Sequence, residues 1–210
     1  MGRLTVSLLV ILSICCLIAG SAVADRLILI PTGTTLSTGD FRAEYAAHCS
    51  AQAYWAAVGI ARLEVEGAWF RNFGAKENGA LSAQIAVLPE TSFTPAVGIG
   101  VRDIGDSADT SALLYDGRSA YVAASMGIST GEGLTFVQDL KVHAGIGTGS
   151  LSGIFFGAEV TLPGKVRLAA EYDTKDFNFA ATYSVAPIAK LQVSSIHDEG
   201  YYGALISTSF

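Results

Sequence analysis

The amino-acid sequence predicts an all-β chain, an antiparallel up-and-down transmembrane β-barrel of about 10–12 strands. Three observations predict it. From Phe41 onward, apolar and polar residues alternate in segments of about ten residues, the period of a strand with one apolar and one wet face. Charged residues make up only 15% of the chain, against about a quarter in a soluble domain. Aromatic residues fall near strand ends on the apolar face (Phe41, Trp69, Phe93, Tyr172, Phe177 and Tyr183), where a lipid–water interface holds them. A soluble sandwich would show the same alternation with the faces inverted; the sparse charge and the aromatic placement favour the barrel.

Residues 1–24 read as a signal peptide. Arg3 opens a short basic start, residues 4–20 are almost unbroken apolar sequence, and Ala22-Val23-Ala24 supplies the small-x-small cleavage pattern, leaving Asp25 as the new N-terminus. A retained membrane helix is the alternative, but the apolar run is barely long enough to span a bilayer. The bulky Ile14 before Cys15 and Cys16 argues against a lipoprotein signal. The organisation expected is therefore a signal peptide at 1–24, an N-terminal extended segment at 25–40 and one barrel domain at 41–210.

Composition bounds the partners. Loss of Arg3 leaves 12 basic against 19 acidic side chains, a formal charge of −7, with no basic stripe to neutralise phosphates; nucleic acid is excluded as a partner. Of the three cysteines only Cys49 lies beyond the signal, so no internal disulfide forms, and Cys49 reads as a small apolar strand residue. Beyond the signal no apolar run suffices for a membrane helix, so insertion is by strands and the surrounding partner is outer-membrane lipid.

Arg26-Leu27-Ile28-Leu29-Ile30 opens the mature chain and runs into turn-forming sequence from Pro31-Thr32-Gly33 to Gly39-Asp40. Strands follow near 40–49, 52–60, 61–71, 79–88, 92–103, 119–129, 134–147, 151–162, 165–173, 176–185, 188–197 and 200–210. Turn chemistry separates them at Asn78-Gly79, Gly131-Glu132-Gly133, Gly147-Thr148-Gly149, Pro163-Gly164, Asp173-Thr174-Lys175-Asp176 and Asp198-Glu199-Gly200. The 52–60 strand fits least well, because Tyr54 and Trp55 point opposite ways. Residues 105–117, with Asp106, Asp109 and Asp116, read as an exposed loop.

Faces are consistent along the chain. Leu63, Val65 and Trp69 oppose Arg62, Glu64 and Glu66; Phe93, Pro95, Val97, Ile99 and Val101 oppose Thr94, Gly98, Gly100 and Arg102. Leu134, Phe136, Leu140, Val142 and Ile146 oppose Asp139, Lys141 and His143; Val166, Leu168, Ala170 and Tyr172 oppose Arg167 and Glu171. With lipid outside, the lumen-facing charges expected are Arg42, Glu44, Arg62, Glu64, Glu66, Arg102, Asp139, Lys141, Glu159, Arg167 and Glu171. Arg102-Asp103 is the most pointed pair. Arg102 could bind an anionic sugar or phosphate through its planar fork; a lumenal ion pair with Glu64, Glu66 or Glu159 is the favoured reading.

No catalytic constellation is legible. His48 and Ser50 share a face beside Cys49, His143 lies near Asp139 and Lys141, and His197 sits at a turn, with no third member or oxyanion donor at a fixed spacing. The dispersed histidines give no metal site, the acidic loop lacks calcium-ligand spacing, and Gly145-Ile146-Gly147-Thr148-Gly149 is a turn with no helix after it, not a nucleotide loop. No cofactor is expected.

Several patches resemble the YjbH family of Gram-negative outer-membrane proteins linked to exopolysaccharide production. They are Ala86-Val87-Leu88-Pro89-Glu90; Pro95-Ala96-Val97-Gly98-Ile99-Gly100-Val101-Arg102-Asp103-Ile104-Gly105; Ala120-Tyr121-Val122-Ala123-Ala124-Ser125; Pro31-Thr32-Gly33 with Gly39-Asp40-Phe41-Arg42; Gly153-Ile154-Phe155-Phe156-Gly157-Ala158-Glu159; and Leu168-Ala169-Ala170-Glu171-Tyr172-Asp173. The chain departs from the family in its short, single-barrel length and in lacking a basic residue soon after Ser125. The resemblance implies a non-enzymatic accessory of exopolysaccharide production or export, with polysaccharide or export machinery as partners. A narrow channel or structural envelope barrel is the alternative, and an outer-membrane lipid hydrolase would need His48 or His143.

Overall fold

The protein is described by a computed structural model over residues 26–72, 77–107, 117–129 and 136–208. The expected signal peptide at 1–24, the expected turn at 131–133, Leu134, Asp109, Asp116 and Phe210 lie outside these residues. Twelve strands form one closed antiparallel barrel: β1 (Phe41–His48), β2 (Ala51–Ile60), β3 (Leu63–Asn72), β4 (Asn78–Leu88), β5 (Ala96–Arg102), β6 (Ser119–Gly127), β7 (Asp139–Gly147), β8 (Gly153–Leu162), β9 (Val166–Tyr172), β10 (Phe177–Ala186), β11 (Ala189–Ile196) and β12 (Glu199–Thr208). Each pairs with its sequence neighbours, and β12 closes on β1 with Phe41 opposite Thr208 and Ala47 opposite Tyr202. Closure leaves no strand edge, the condition for a sheet to cross lipid.

The alternation of the sequence becomes the two faces of this wall. Outside, large apolar side chains stand exposed on every part of the circumference, among them Ile154 at 66%, Val193 at 60% and Trp69 at 51%. A surface of this size and kind belongs in hydrocarbon, not water. Toward the end carrying the β1–β2, β9–β10 and β11–β12 turns it becomes aromatic, with Phe156, Tyr172 and Phe177 in mutual ring contact at 5.2–6.3 Å.

Some boundaries differ from the sequence expectation. Asn78 and Gly79 begin β4, paired with Phe70 and Trp69, because the ladder continues past a dipeptide that elsewhere makes a turn. Phe93 is not in a strand: Thr91 and Thr94 close a small turn through their hydroxyls, and Phe93 stands 92% exposed in the β4–β5 loop. The last hairpin turns at His197-Asp198, both with positive φ (49° and 63°), as a two-residue primed turn requires; Glu199 and Gly200 belong to β12. Tyr54 and Trp55 do point opposite ways, and both fit: Tyr54 faces out and Trp55 faces the lumen, 5% exposed.

Inside, much of the wall is small, with Ala53, Ala57, Ala96, Gly98, Ala123 and Ala169 facing inward and buried. The space they leave is taken by residues 26–38, which run through the barrel before β1 begins. Leu27, Ile28, Leu29 and Ile30 are at most 5% exposed and join Trp55, Phe70, Tyr121, Phe155 and Tyr201 in one apolar cluster. Arg26 and Pro31 form an isolated bridge around them, and the Leu27 amide donates to the Ile30 carbonyl at 2.9 Å.

Candidate functional site: a lumen occupied by the N-terminal segment

The lumenal segment adds no strand to the sheet, so its backbone polar groups need partners from wall side chains. Glu171 of β9 meets this need at the tip. Its carboxylate accepts the amides of Ile28 (2.9 Å), Leu29 (2.7 Å) and Ile30 (3.3 Å), together with Asn178 Nδ2 (3.2 Å). Three successive N–H groups around one buried anion form a nest. Arg102 of β5 donates to the Leu29 carbonyl. Further along, the Gly33 amide donates to Ser125 Oγ at 2.7 Å, Gln84 Nε2 donates to the Thr34 carbonyl at 2.8 Å, and the Leu36 amide donates to Glu64 Oε2 at 2.7 Å. Gln84 is itself held by Tyr121, whose hydroxyl donates to Oε1 at 2.9 Å.

The fit depends on two glycines. A Cβ at Gly33 would run into the carbonyl of Ala96 and the amide of Ser125, and one at Gly59 into the carbonyls of Leu36 and Ser37. Backbone meets backbone at both places, so no side chain can yield.

Two ion clusters line the rest of the wall. On β1–β3, Arg42 Nη2 lies 2.8 Å from Glu66 Oε2 and 3.8 Å from Glu64 Oε1, and Arg26 of the segment lies 2.6 Å from Glu44 and 3.6 Å from Glu66. On β7–β9, Arg167 donates to Glu159 at 2.7 Å, and His143 Nε2 lies 3.8 Å from the same carboxylate. The sequence-derived charges thus divide. Arg42, Glu44, Glu64, Glu66, Arg102 and Glu171 meet the segment or its neighbours; Glu159 and Arg167 form a separate pair; Lys141 is half-buried on β7. Asp139 is exposed at the start of β7, and Arg62 is exposed in the two-residue β2–β3 turn. Arg62 leaves the lumen because alternation continues through a turn in sequence but not in space, and Asp139 is exposed because it stands at the rim, where β7 begins. Arg102 takes a backbone carbonyl of the segment, a partner that charge matching did not suggest.

At the rim, a second network joins two turns to the segment. His197 Nε2 lies 2.9 Å from Asp173 Oδ2, the His197 amide donates to Asn178 Oδ1 at 3.1 Å, and Asn178 Nδ2 donates to both Asp173 (3.0 Å) and Glu171. The Asp173 hydrogen bond raises the His197 pKa above its ordinary value, outweighing partial burial. Burial acts to raise the Asp173 pKa, but hydrogen bonds from His197, the Asp176 amide, Asn178 and the Lys175 amide win and hold it well below the usual carboxylate range.

His143 has a partner that sequence spacing did not reveal, whereas His48 keeps the neighbours the sequence placed beside it. His143 Nδ1 lies 2.7 Å from Ser125 Oγ, a serine on a neighbouring strand that also receives the Gly33 amide. His48 lies 3.3 Å from Ser50 and 3.4 Å from the exposed Cys49 thiol in the β1–β2 turn. Among the described residues, no group of three or more His, Cys, Asp or Glu side chains is placed to hold a metal ion.

Porins are among the solved structures that match this chain. The KdgM porin in complex with disordered oligogalacturonate matches with a TM-score of 0.52 at 8% identity, over 81% of this chain and 99% of that one. The NanC porin matches with a TM-score of 0.43 at 11% identity, over 81% of this chain and 98% of that one. A mutant Rh. blastica porin matches with a TM-score of 0.32 at 11% identity, covering 56% of its length. The likeness to the KdgM porin is one of fold, a closed antiparallel β-barrel. No protein-family model matches the sequence and no curated protein does, so the YjbH-like resemblance is carried by its motifs alone.

Proposed function

We propose that the protein is a non-enzymatic outer-membrane barrel acting as a narrow channel held shut by its own N-terminal segment, exported by a cleaved signal peptide at 1–24. One observation carries this reading: a separate, non-sheet segment fills the space left beside inward alanines and glycines and is fixed there by side-chain hydrogen bonds. A purely structural barrel of this width fills itself with its own large side chains. Here a bore would remain if residues 26–38 withdrew, and the bonds holding them are ones that water can replace. The solute that KdgM carries in its complex, an oligogalacturonate, makes saccharides the first class to try.

The test combines location with permeability. Outer-membrane fractionation and a mobility difference between boiled and unboiled samples are expected. Liposomes holding the native barrel should swell little with small sugars, and those holding Gly33→Ala, whose segment cannot seat, should swell readily. A soluble periplasmic protein, or equal swelling from both barrels, would refute the reading.

A second reading, an accessory of exopolysaccharide production or export, is favoured by one specific contact. Two patches of the resemblance, Pro31-Thr32-Gly33 and the stretch from Ala96 to Arg102, meet in the lumen: Gly33 lies against Ala96, and Gly98 faces the Gly33 carbonyl. The motifs of the resemblance are thus spent on seating the segment. Loss of secreted polysaccharide on deletion, restored by the native gene but not by Gly33→Ala, is the expected result; unchanged matrix on deletion would dismiss it.

A further inference from the structure

Gly33 of the lumenal segment is held to the wall by a serine whose own hydrogen goes to a histidine. The Gly33 amide donates to Ser125 Oγ at 2.7 Å, and the same oxygen lies 2.7 Å from His143 Nδ1. Ser125 is 2% exposed and His143 5%, so the count of hydrogens closes among protein atoms. A hydroxyl has one hydrogen to give, and among the described residues Ser125 Oγ meets no acceptor besides Nδ1. That hydrogen therefore goes to Nδ1. The ring carries its own on Nε2, turned toward Glu159 Oε1 at 3.8 Å. The imidazole that fits is the neutral one.

Protonation changes the count. An imidazolium donates from both nitrogens, so its Nδ1–H displaces the Ser125 hydrogen from the 2.7 Å contact. The Ser125 hydroxyl, accepting from Gly33, then keeps a buried hydrogen with no acceptor, and such a donor is costly. With the segment withdrawn, the hydroxyl turns to water and the cost disappears. The charged groups facing this place do not reverse the difference. Lys141 on β7, Glu159 on β8, Arg167 on β9, Lys190 on β11 and Glu90 of the β4–β5 loop belong to the wall and its rim, and are present in both states. Arg26 is the charged residue of the segment and pairs with Glu44 on β1. Its departure takes a positive charge out of the lumen, which favours the imidazolium of the withdrawn state further.

We propose that His143 is an acid-sensitive latch: a proton on its imidazole strands the Ser125 hydroxyl beneath Gly33 and drives residues 26–38 out of the lumen. This rests on the reading of residues 26–38 as a displaceable plug. A falling pH favours whichever state binds the proton more tightly, here the withdrawn one. Closure is therefore present above the range where a solvated imidazole titrates, around pH 6.5, and is lost as pH falls through and below it. One stranded buried hydroxyl corresponds to a shift of about tenfold in the open fraction.

The experiment reads the open fraction of the native barrel in planar bilayers at about pH 7.5 and about pH 5.5, on either side of the imidazole range. The native barrel should be open about tenfold more of the time at the lower pH. His143→Asn keeps an acceptor where Nδ1 stands and cannot take the proton, so it should stay closed at both. If that variant loses its heat-modifiable mobility, Ser125→Ala is read in its place; it should be more open at the higher pH and flat between the two. Two other titratable groups reach the segment's contacts, Glu171 at its tip and His197 at the rim. His197→Gln should keep the native response. An acid response that survives His143→Asn belongs to Glu171 and overturns the proposal, as does an equal native open fraction at both pH values. The barrel lacking residues 26–38 separates the latch from the plug. If it conducts at both pH values while the native barrel stays closed at both, the plug stands and the latch falls; if it folds and stays silent, the plug reading fails and takes the latch with it.

Discussion

Replacing Glu171 by Gln should free the segment while leaving the barrel intact. Glu171 accepts three amides of the segment at 2.7–3.3 Å and Asn178 at 3.2 Å, and it is 1% exposed. Hydrogen bonds to a charged group contribute about 1.5–3 kcal/mol each. Glutamine keeps one acceptor oxygen and turns an NH₂ toward donors, so about two of these bonds are lost and N–H faces N–H. The segment should be held less tightly by about 3–5 kcal/mol, and with tenfold per 1.4 kcal/mol the open fraction should rise a hundredfold or more. The assay uses Cys49→Ser to remove the exposed thiol, with Leu29→Cys as reporter at a site that is 5% exposed. Maleimide should label the Glu171→Gln barrel about a hundredfold faster or more. Equal labelling rates in two barrels with the same heat-modifiable mobility would refute the claim that Glu171 anchors the segment.

Other consequences follow from the same contacts. Arg102→Ala removes the donor to the Leu29 carbonyl in a buried place, and should lower the stability of the folded barrel in urea titration by about 2 kcal/mol; an unchanged midpoint would contradict the assignment. Val193→Lys puts a charge on the outer face midway along β11 and should cost about 2–4 kcal/mol of folding into lipid vesicles, a penalty that a soluble sandwich would not show. The His197–Asp173 clasp should depend on pH. The raised His197 pKa gives stability fully present below about pH 6.5 and lost as pH rises through the folded value; the lowered Asp173 pKa gives stability present above its ordinary 3.8 and lost as pH falls. Stability should therefore decline above neutrality by about 1 kcal/mol or less, His197 being partly exposed, and His197→Gln should flatten that arm; an equal slope in both would discard the clasp.

The strands and their faces were legible because a period of two survives in any wall with lipid on one side. Boundaries were legible only where turn residues act as turns. Asn78-Gly79 sits inside a ladder, and Phe93 lies in the loop before β5 begins. The segment inside the lumen was not legible. Leu27-Ile28-Leu29-Ile30 has no polar alternation, and its partners lie about 140 residues away. Glu171 alternates like any lumenal acid, so nothing local marks it as an anchor. The signal that was present lies in the small residues of the inward face, Ala96, Gly98 and Ala123, and in Trp55 opposite Tyr54. Small lining residues at these positions, beside an inward indole, leave space that something other than the wall must fill.

The most direct measurement is single-channel conductance in planar bilayers, comparing the native barrel with one lacking residues 26–38. The native protein should be closed for nearly all of the record, and the shortened barrel, folded by the criterion of its gel mobility, should conduct steadily. A shortened barrel that folds and stays silent, or a native barrel that conducts as freely as the shortened one, would contradict the account.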